Sequence, residues 1–221
     1  MTSEGLEIAI VGAGGIGSNL AQALVPAIHR GELAEGLAPI TVRIFDSDAV
    51  SESNLSHQRF SRSDVGRSKA ECLRDSLSGF GSDMLSIEAC VWDVREPGDI
   101  GSPDLIAVGV DSSPARSIVH ATRVPWVDLR CVGDNYIALD SRMDLSVVEG
   151  LTDEGQAPGS CQMEGAVESG NIQFGNLAAA AHGAQWLIQT MRGIAGHDGA
   201  MPPAPKASSI TFGTLERIAI K

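Results

Sequence analysis

The residues best equipped for chemistry come in a fixed order: the turn Val11-Gly12-Ala13-Gly14-Gly15-Ile16-Gly17, the acids Asp46 and Asp48, the amides Asn54 and Gln58, then Lys69 and Asp111. Glycines after a short apolar run remove side chains, so backbone N–H groups can approach a phosphate, and the start of the next helix adds positive dipole. An acid at the end of the second strand, Asp46, is placed to accept hydrogen bonds from ribose hydroxyls. A nicotinamide or flavin turn has both features, so they do not discriminate. The residues that follow do: Asp48, Asn54-Leu55-Ser56-His57-Gln58-Arg59 and Gly66-Arg67-Ser68-Lys69 are more polar machinery than such a site places behind its ribose acid. A triphosphate of about −4 charge on an acidic chain needs local cations. Lys69 meets that need at a helix start, and Asp111 offers the carboxylate oxygen that magnesium takes. The set suits attack of a carboxylate on the α-phosphate of ATP better than hydride transfer.

Composition narrows the partners. With 28 acidic against 16 basic residues the formal charge is −12, a field that repels nucleic acid and anionic membranes. Aromatic residues make up 4%, too few for the stacking platform of a single-strand binder. No stretch approaches the roughly 20 apolar residues of a spanning helix, and Met1 to Gly5 lacks a signal peptide's basic and apolar parts, so a cytoplasmic location is expected. Cys72, Cys90, Cys131 and Cys161 form no C-x-x-C pair, which speaks for reduced thiols and against zinc. A length of 221 residues fits one domain spanning the whole chain.

The elements that must position these residues alternate. Leu6 to Val11 reads as a strand, the residues from Ile16 as a helix and Ile40 to Phe45 as a second strand, a βαβ unit. A helix is expected from Lys69 to Leu77, strands over Leu85 to Val91 and Leu105 to Val110, and another helix near Pro114. After Val124 to Asp128 the texture changes: Tyr136 to Leu139 and Leu145 to Val148 alternate like antiparallel strands. Asn171 to Met191 is a long amphipathic helix. Residues 194–208 read as a flexible loop and 209–221 as a closing hairpin. The fold class is α/β, a mostly parallel sheet with helices on both faces and an antiparallel C-terminal part.

The chain resembles the ThiF/MoeB/HesA family, relatives of the ubiquitin-activating enzymes, over about residues 7 to 192. The resemblance rests on the G-A-G-G-I-G turn, F-D-S-D at Phe45 to Asp48, N-L-x-x-Q at Asn54 to Gln58, G-R-S-K at Gly66 to Lys69 and V-D-S-S-P-A-R ending at Arg116. It implies a Rossmann-like ATP-binding fold and a homodimer that uses ATP and magnesium to adenylate the C-terminal glycine carboxylate of a ubiquitin-like or sulfur-carrier protein. By the same resemblance Gly12, Gly14, Gly15 and Gly17 form the nucleotide turn and Asp46 meets ribose. Asn54, Gln58 and Lys69 then meet phosphates, with Asp48 beside them, and Asp111 holds the metal. Cys161, in Gly159-Ser160-Cys161-Gln162, is similar to the loop holding the thioester cysteine in the conjugating branch.

Two departures stand out. His57 occupies the place of the family's arginine and is mostly neutral at pH 7 with an ordinary pKa near 6.5. Arg59 shares a face with it in an extended segment and is the expected replacement cation, with Arg62 and Arg67 behind it. The N-terminal arginine that family dimers exchange also lacks an obvious match. Arg130 is expected just after the fifth strand, pairing with a substrate carboxylate or an internal acid. Two alternatives remain at this point: a nicotinamide-dependent oxidoreductase, and a non-catalytic subunit that keeps the fold to bind a partner.

Overall fold

The computed structural model describes residues 5–152 and 161–211. Strands β1 (Leu6–Val11), β2 (Ile40–Phe45), β3 (Leu85–Cys90), β4 (Leu105–Val108), β5 (Trp126–Val132), β6 (Asn135–Asp140) and β7 (Lys206–Ser209) form one sheet in the order β3-β2-β1-β4-β5-β6-β7. The first five pair in parallel, whereas β5–β6 and β6–β7 are antiparallel. From β1 the chain winds outward through β2 and β3, then crosses back to lay β4 on the other side of β1. That reversal opens a crevice at the carboxyl ends of β1 and β4, where open α/β sheets bind ligands.

Eight helices accompany the strands among the described residues: α1 (Gly15–Ile28), α2 (Glu32–Leu37), α3 (Lys69–Leu77), α4 (Pro97–Ile100), α5 (Ser113–His120), α6 (Leu145–Gly150), α7 (Ala166–Ser169) and α8 (Gly175–Ile194). Residues of α1 and α8 bury Leu20, Leu24, Ile28, Trp186, Leu187 and Met191 with the strand residues Ile8, Ile10, Ile44 and Leu129 in one core. Ala9, Val11, Phe45, Ile106, Val108 and Trp126, on alternate strand positions, pack with Val119 of α5 in the other. Alanines and Gly183 on α8 allow the close approach: a Cβ at Gly183 would sit 2.4 Å from Leu129 Cδ1.

The sheet is mostly parallel with an antiparallel end, as the periodicity suggests, but two details differ. Leu145 to Val148 belongs to α6 and not to a strand, because Asp144 caps the helix by accepting from Ser146 N at 2.9 Å. A four-residue alternation of apolar and polar residues also fits one helical turn. The expected loop over 194–208 contains β7, a polar edge strand, Lys-Ala-Ser-Ser, with no apolar alternation to announce it. The expected hairpin lies mostly in 212–221, outside the described residues. Among the described residues, no helix is long and apolar enough to cross a membrane.

Candidate active site

The glycine turn is shaped by what its neighbours leave room for. Gly12 adopts φ +100°, the left-handed region that favours glycine, and a Cβ there would lie 2.8 Å from Val110 Cγ1. Gly14 is the residue before α1 and offers no side-chain cap, so the first-turn amides of α1 are left for a ligand. Nothing lies within 4 Å of a Cβ at Gly14, and Gly14 and Gly15 both line the crevice. Gly17 serves packing: a Cβ there would fall 1.7 Å from the Gly12 carbonyl oxygen, and the residue does not line the cavity.

Three polar residues tie the turn to the rest of the sheet edge. Asp46 accepts from Ala13 N at 2.7 Å and from Asp48 N at 2.9 Å. Burial pushes its carboxyl above the usual range against the pull of these bonds, and the neighbouring Asp48 charge adds to the push. The Gly15 carbonyl accepts from Asn19 Nδ2 at 2.6 Å and from Asn176 Nδ2 at 3.2 Å, while the same Asn176 nitrogen donates to the His57 carbonyl at 2.9 Å. The sequence pattern passed over both asparagines. Each lies inside an apolar helix repeat, and a buried asparagine there is the signal that could have found them.

The cavity at the crevice measures about 510 Å³. Of the expected site residues its lining holds Gly12, Gly14, Gly15, Asp46, Asp48, Gln58, Lys69, Asp111 and Cys161, with His57 beside them. The buried Lys69 ammonium donates to Asp48 Oδ2 at 2.8 Å. Burial, and secondarily Lys69, lowers the His57 pKa, so its ring is neutral near pH 7. Gln58 Oε1 is buried without a partner among the described residues. Asp111 does not cap α5; Ser112 does, accepting from Ala115 N at 3.4 Å. The Asp111 carboxylate thus stays on the cavity wall, a hard oxygen donor of the kind magnesium takes. No cluster of three or more metal-ligating side chains occurs among the described residues.

Other expected residues lie apart from the lining. Asn54 turns its own segment, its Oδ1 accepting from Ser51 N at 3.0 Å. Arg59 is exposed and its Nε donates to Asn19 Oδ1, so it braces the asparagine that holds the glycine turn and does not replace the family's arginine in the cavity. Arg67 pairs with Asp75 at 2.6 Å, and Arg62 sits in a short exposed turn. The arginine that does line the cavity is Arg95, on the loop after β3 with Trp92, Asp93 and Val94.

A second cavity of about 330 Å³ meets the first at Asp111, lined by Arg116, Arg130, Cys131, Val132, Tyr136, Ile137 and Leu151 among others. Arg130 lies within β5, not after it, and its partner is the internal acid: Nη2 donates to the fully buried Asp128 at 2.6 Å. Cys161 lines the first cavity and Cys131 the second. Cys131 beside Cys161 lowers the Cys161 pKa, and the same pairing pushes Cys131 up. Burial and Asp111 oppose that lowering at Cys161, and Arg116 assists it.

The fold is similar to that of several solved structures. A crystal structure of E. coli MccB with ATP matches at a TM-score of 0.61 and 18% identity, covering 94% of this chain and 64% of that one. E. coli MccB with AMPCPP and SeMet MccA matches at 0.60 and 16%, covering 92% and 63%. PaaA matches at 0.58 and 17%, covering 93% and 64%. The chain therefore spans slightly less than two thirds of the length of these structures, and at such identities the likeness speaks for the fold. No curated protein matches the sequence. The family model for ThiF matches residues 4–197, and the chain belongs to the ThiF family.

Proposed function

We propose that the chain binds ATP in the crevice and adenylates a terminal carboxylate, and one observation carries this reading. Lys69, Asp46, Asp111 and the uncapped start of α1 all meet in one cavity, although they come from four separate segments. In this reading Asp46 receives the ribose, while Gln58, Lys69 and the amides of α1 hold the phosphates. Asp111 is the residue that would hold magnesium, whose chemistry there is to neutralise phosphate oxygens. The acceptor's carboxylate oxygen attacks the α-phosphorus in line; the new O–P bond forms as the bond to the β-phosphate bridge breaks, and pyrophosphate leaves.

The second cavity is the acceptor's entrance in this proposal, because it reaches the first at Asp111 and is lined by Arg116, Val132, Tyr136 and Ile137. That lining suits the end of a peptide or of a ubiquitin-like or sulfur-carrier protein with a terminal glycine. The MccB structures with MccA offer a peptide precedent in a protein of similar fold. Cys161 is proposed to capture the acyl group as a thioester, with AMP as the leaving group. A homodimer is part of the same proposal, and the mass in solution by light scattering tests it.

ATP–pyrophosphate exchange in the presence of the acceptor is the direct test. Asp111→Ala should abolish exchange and Cys161→Ala should spare it. Equal exchange by the Asp111 variant overturns the metal assignment. Thermal stabilisation by NAD with none from magnesium-ATP overturns the reading as a whole.

A further inference from the structure

The carboxyl edge of the sheet carries its functional groups in a sequence that matches the parts of a nucleotide. The loop after β3 brings Trp92, Val94 and Arg95; β2 leads to Asp46; β1 leads into the glycine turn; β4 leads to Asp111. Three strand spacings of about 4.8 Å separate the first from the last, roughly 14 Å, the span from a base to a terminal phosphate. On the β3 side Val94 lines the cavity beside Trp92 and Phe45, on the β4 side Val110, Pro114 and Ala115 line it beside Asp111, and Lys69, His57 and Gln58 belong to the same lining.

Trp92 is unusual among the three tryptophans. Trp126 and Trp186 are 3% and 2% exposed, but Trp92 is 43% exposed on the cavity wall. The ring is also held in place: its Nε1 donates to the Asp99 carbonyl at 3.2 Å, and Phe45 meets it edge to face at 5.9 Å. With its one polar atom engaged by backbone, the indole offers the cavity only hydrocarbon surface. Its loop is fastened at both flanks, since Ser47 Oγ donates to Asp93 and the amides of Arg95 and Glu96 donate to Asp99 Oδ2 at 2.7 and 2.9 Å. An anchored, half-exposed aromatic on the wall of a cavity that also holds the glycine turn, Lys69 and Gln58 has the properties of a base platform.

We infer that Trp92 stacks against the purine base and is the residue that makes this site prefer purine over pyrimidine triphosphates. The inference rests on the reading that the cavity holds ATP and adds to it the residue that selects the base. A purine presents two fused rings to the indole and a pyrimidine one, so the stacked area differs between them while the phosphate contacts do not. Arg95, with a side chain 81% exposed and donating to Asp93 at 2.9 Å, stands on the same loop and lines the same cavity.

Tryptophan emission tests this directly, because Trp92 is the only one of the three that a cavity ligand can touch. Titration with ATP and with adenosine should change the emission, and inorganic tripolyphosphate should not; Trp92→Phe should remove the response. By calorimetry Trp92→Ala should bind ATP about ten- to a hundredfold more weakly, with the preference for ATP over CTP collapsing, while its tripolyphosphate affinity stays near wild type and reports an intact fold. Trp92→Phe should retain most of the ATP affinity and the purine preference. Calorimetric ATP binding with unchanged emission, or an unchanged ATP-to-CTP ratio in the Phe and Ala variants alike, overturns the role of Trp92 and leaves the functional reading standing. Failure of the wild-type chain to bind ATP at all overturns both. Should the Ala variant not fold, the wild-type emission and the Phe variant decide alone.

Discussion

Lys69 Nζ and Asp48 Oδ2 lie 2.8 Å apart, and the Lys69 amide donates to the Asp48 carbonyl at 2.9 Å, so two bonds fix the start of α3 against the end of the β2 loop. The lysine side chain is 9% exposed and the aspartate 68%. A buried cation held by an exposed acid is ready to exchange that partner for phosphate, because the acid can turn to water when the ligand arrives. Lys69→Met should therefore weaken ATP binding about ten- to a hundredfold, the scale of one charge-assisted contact. Asp48→Asn should move affinity the other way, since the phosphate then meets the lysine without a competing carboxylate. Calorimetric titration of both variants checks the opposite signs.

His57 gives a second test, because its neutral ring takes the place of a permanent cation. Its pKa is lowered by burial and by Lys69, and the negative charge of a bound triphosphate pulls it back up. Binding of ATP should thus take up a proton, and affinity should rise as pH falls below 7. His57→Gln should lose that uptake, which separates it from protonation of the nucleotide itself. His57→Arg should tighten ATP about ten- to a hundredfold and remove the pH dependence over that window. Calorimetry in buffers of different ionisation enthalpy reads both.

The last glycine of the turn, Gly17, predicts a stability effect with little to do with nucleotide. A Cβ on Gly17 would overlap the Gly12 carbonyl oxygen at 1.7 Å, and that atom is backbone, with no side-chain rotation to relieve the clash. Gly17→Ala should cost about 3 kcal/mol or more of folding stability by urea denaturation, at the upper end of overpacking effects. Gly14→Ala meets no atom within 4 Å and should leave stability within about 1 kcal/mol of wild type while weakening ATP binding.

Much of this architecture was legible because the signals were local. Leu6 to Val11, Ile40 to Phe45 and Lys69 to Leu77 have the bounds their periodicity suggests, since an apolar strand after a turn and a helix behind a Ser-Lys start need no tertiary information. The gathering of Lys69 and Asp111 in one cavity follows from strand order, which βαβ connections largely dictate. What the sequence hid depends on partners far along the chain. The bond from Arg59 to Asn19 spans 40 residues, and the brace from Asn176 to Gly15 spans 161. Trp92 follows β3 without any motif, and its importance emerges only once that strand lies beside β2. β7 is visible as a strand only through its pairing with β6.

Asp128 supplies the last prediction. It is fully buried within β5, where three basic side chains converge on it: Arg130 Nη2 at 2.6 Å, His120 Nε2 at 3.0 Å and Arg116 Nε at 3.5 Å. Burial alone would raise its pKa, but the hydrogen bonds from His120 and Arg130 and the arginine charges outweigh it, and the carboxyl titrates below the ordinary aspartate range. A depressed carboxyl contributes stability that is fully present above its unfolded pKa of about 3.9 and is lost as pH falls through the lower folded value. Wild-type stability should therefore drop steeply below pH 4. Arg130 also donates to Thr152 Oγ1 at 2.7 Å, so the same carboxylate indirectly pins the end of α6 beside the second cavity. Asp128→Ala leaves buried arginines uncompensated and should cost about 3 to 5 kcal/mol at pH 7. The variant should also lose part of the acid-side slope, because the titrating group is gone. Urea midpoints measured from pH 7 to pH 3 read both effects, and a variant whose pH profile parallels the wild type would show that Asp128 is not the group responsible.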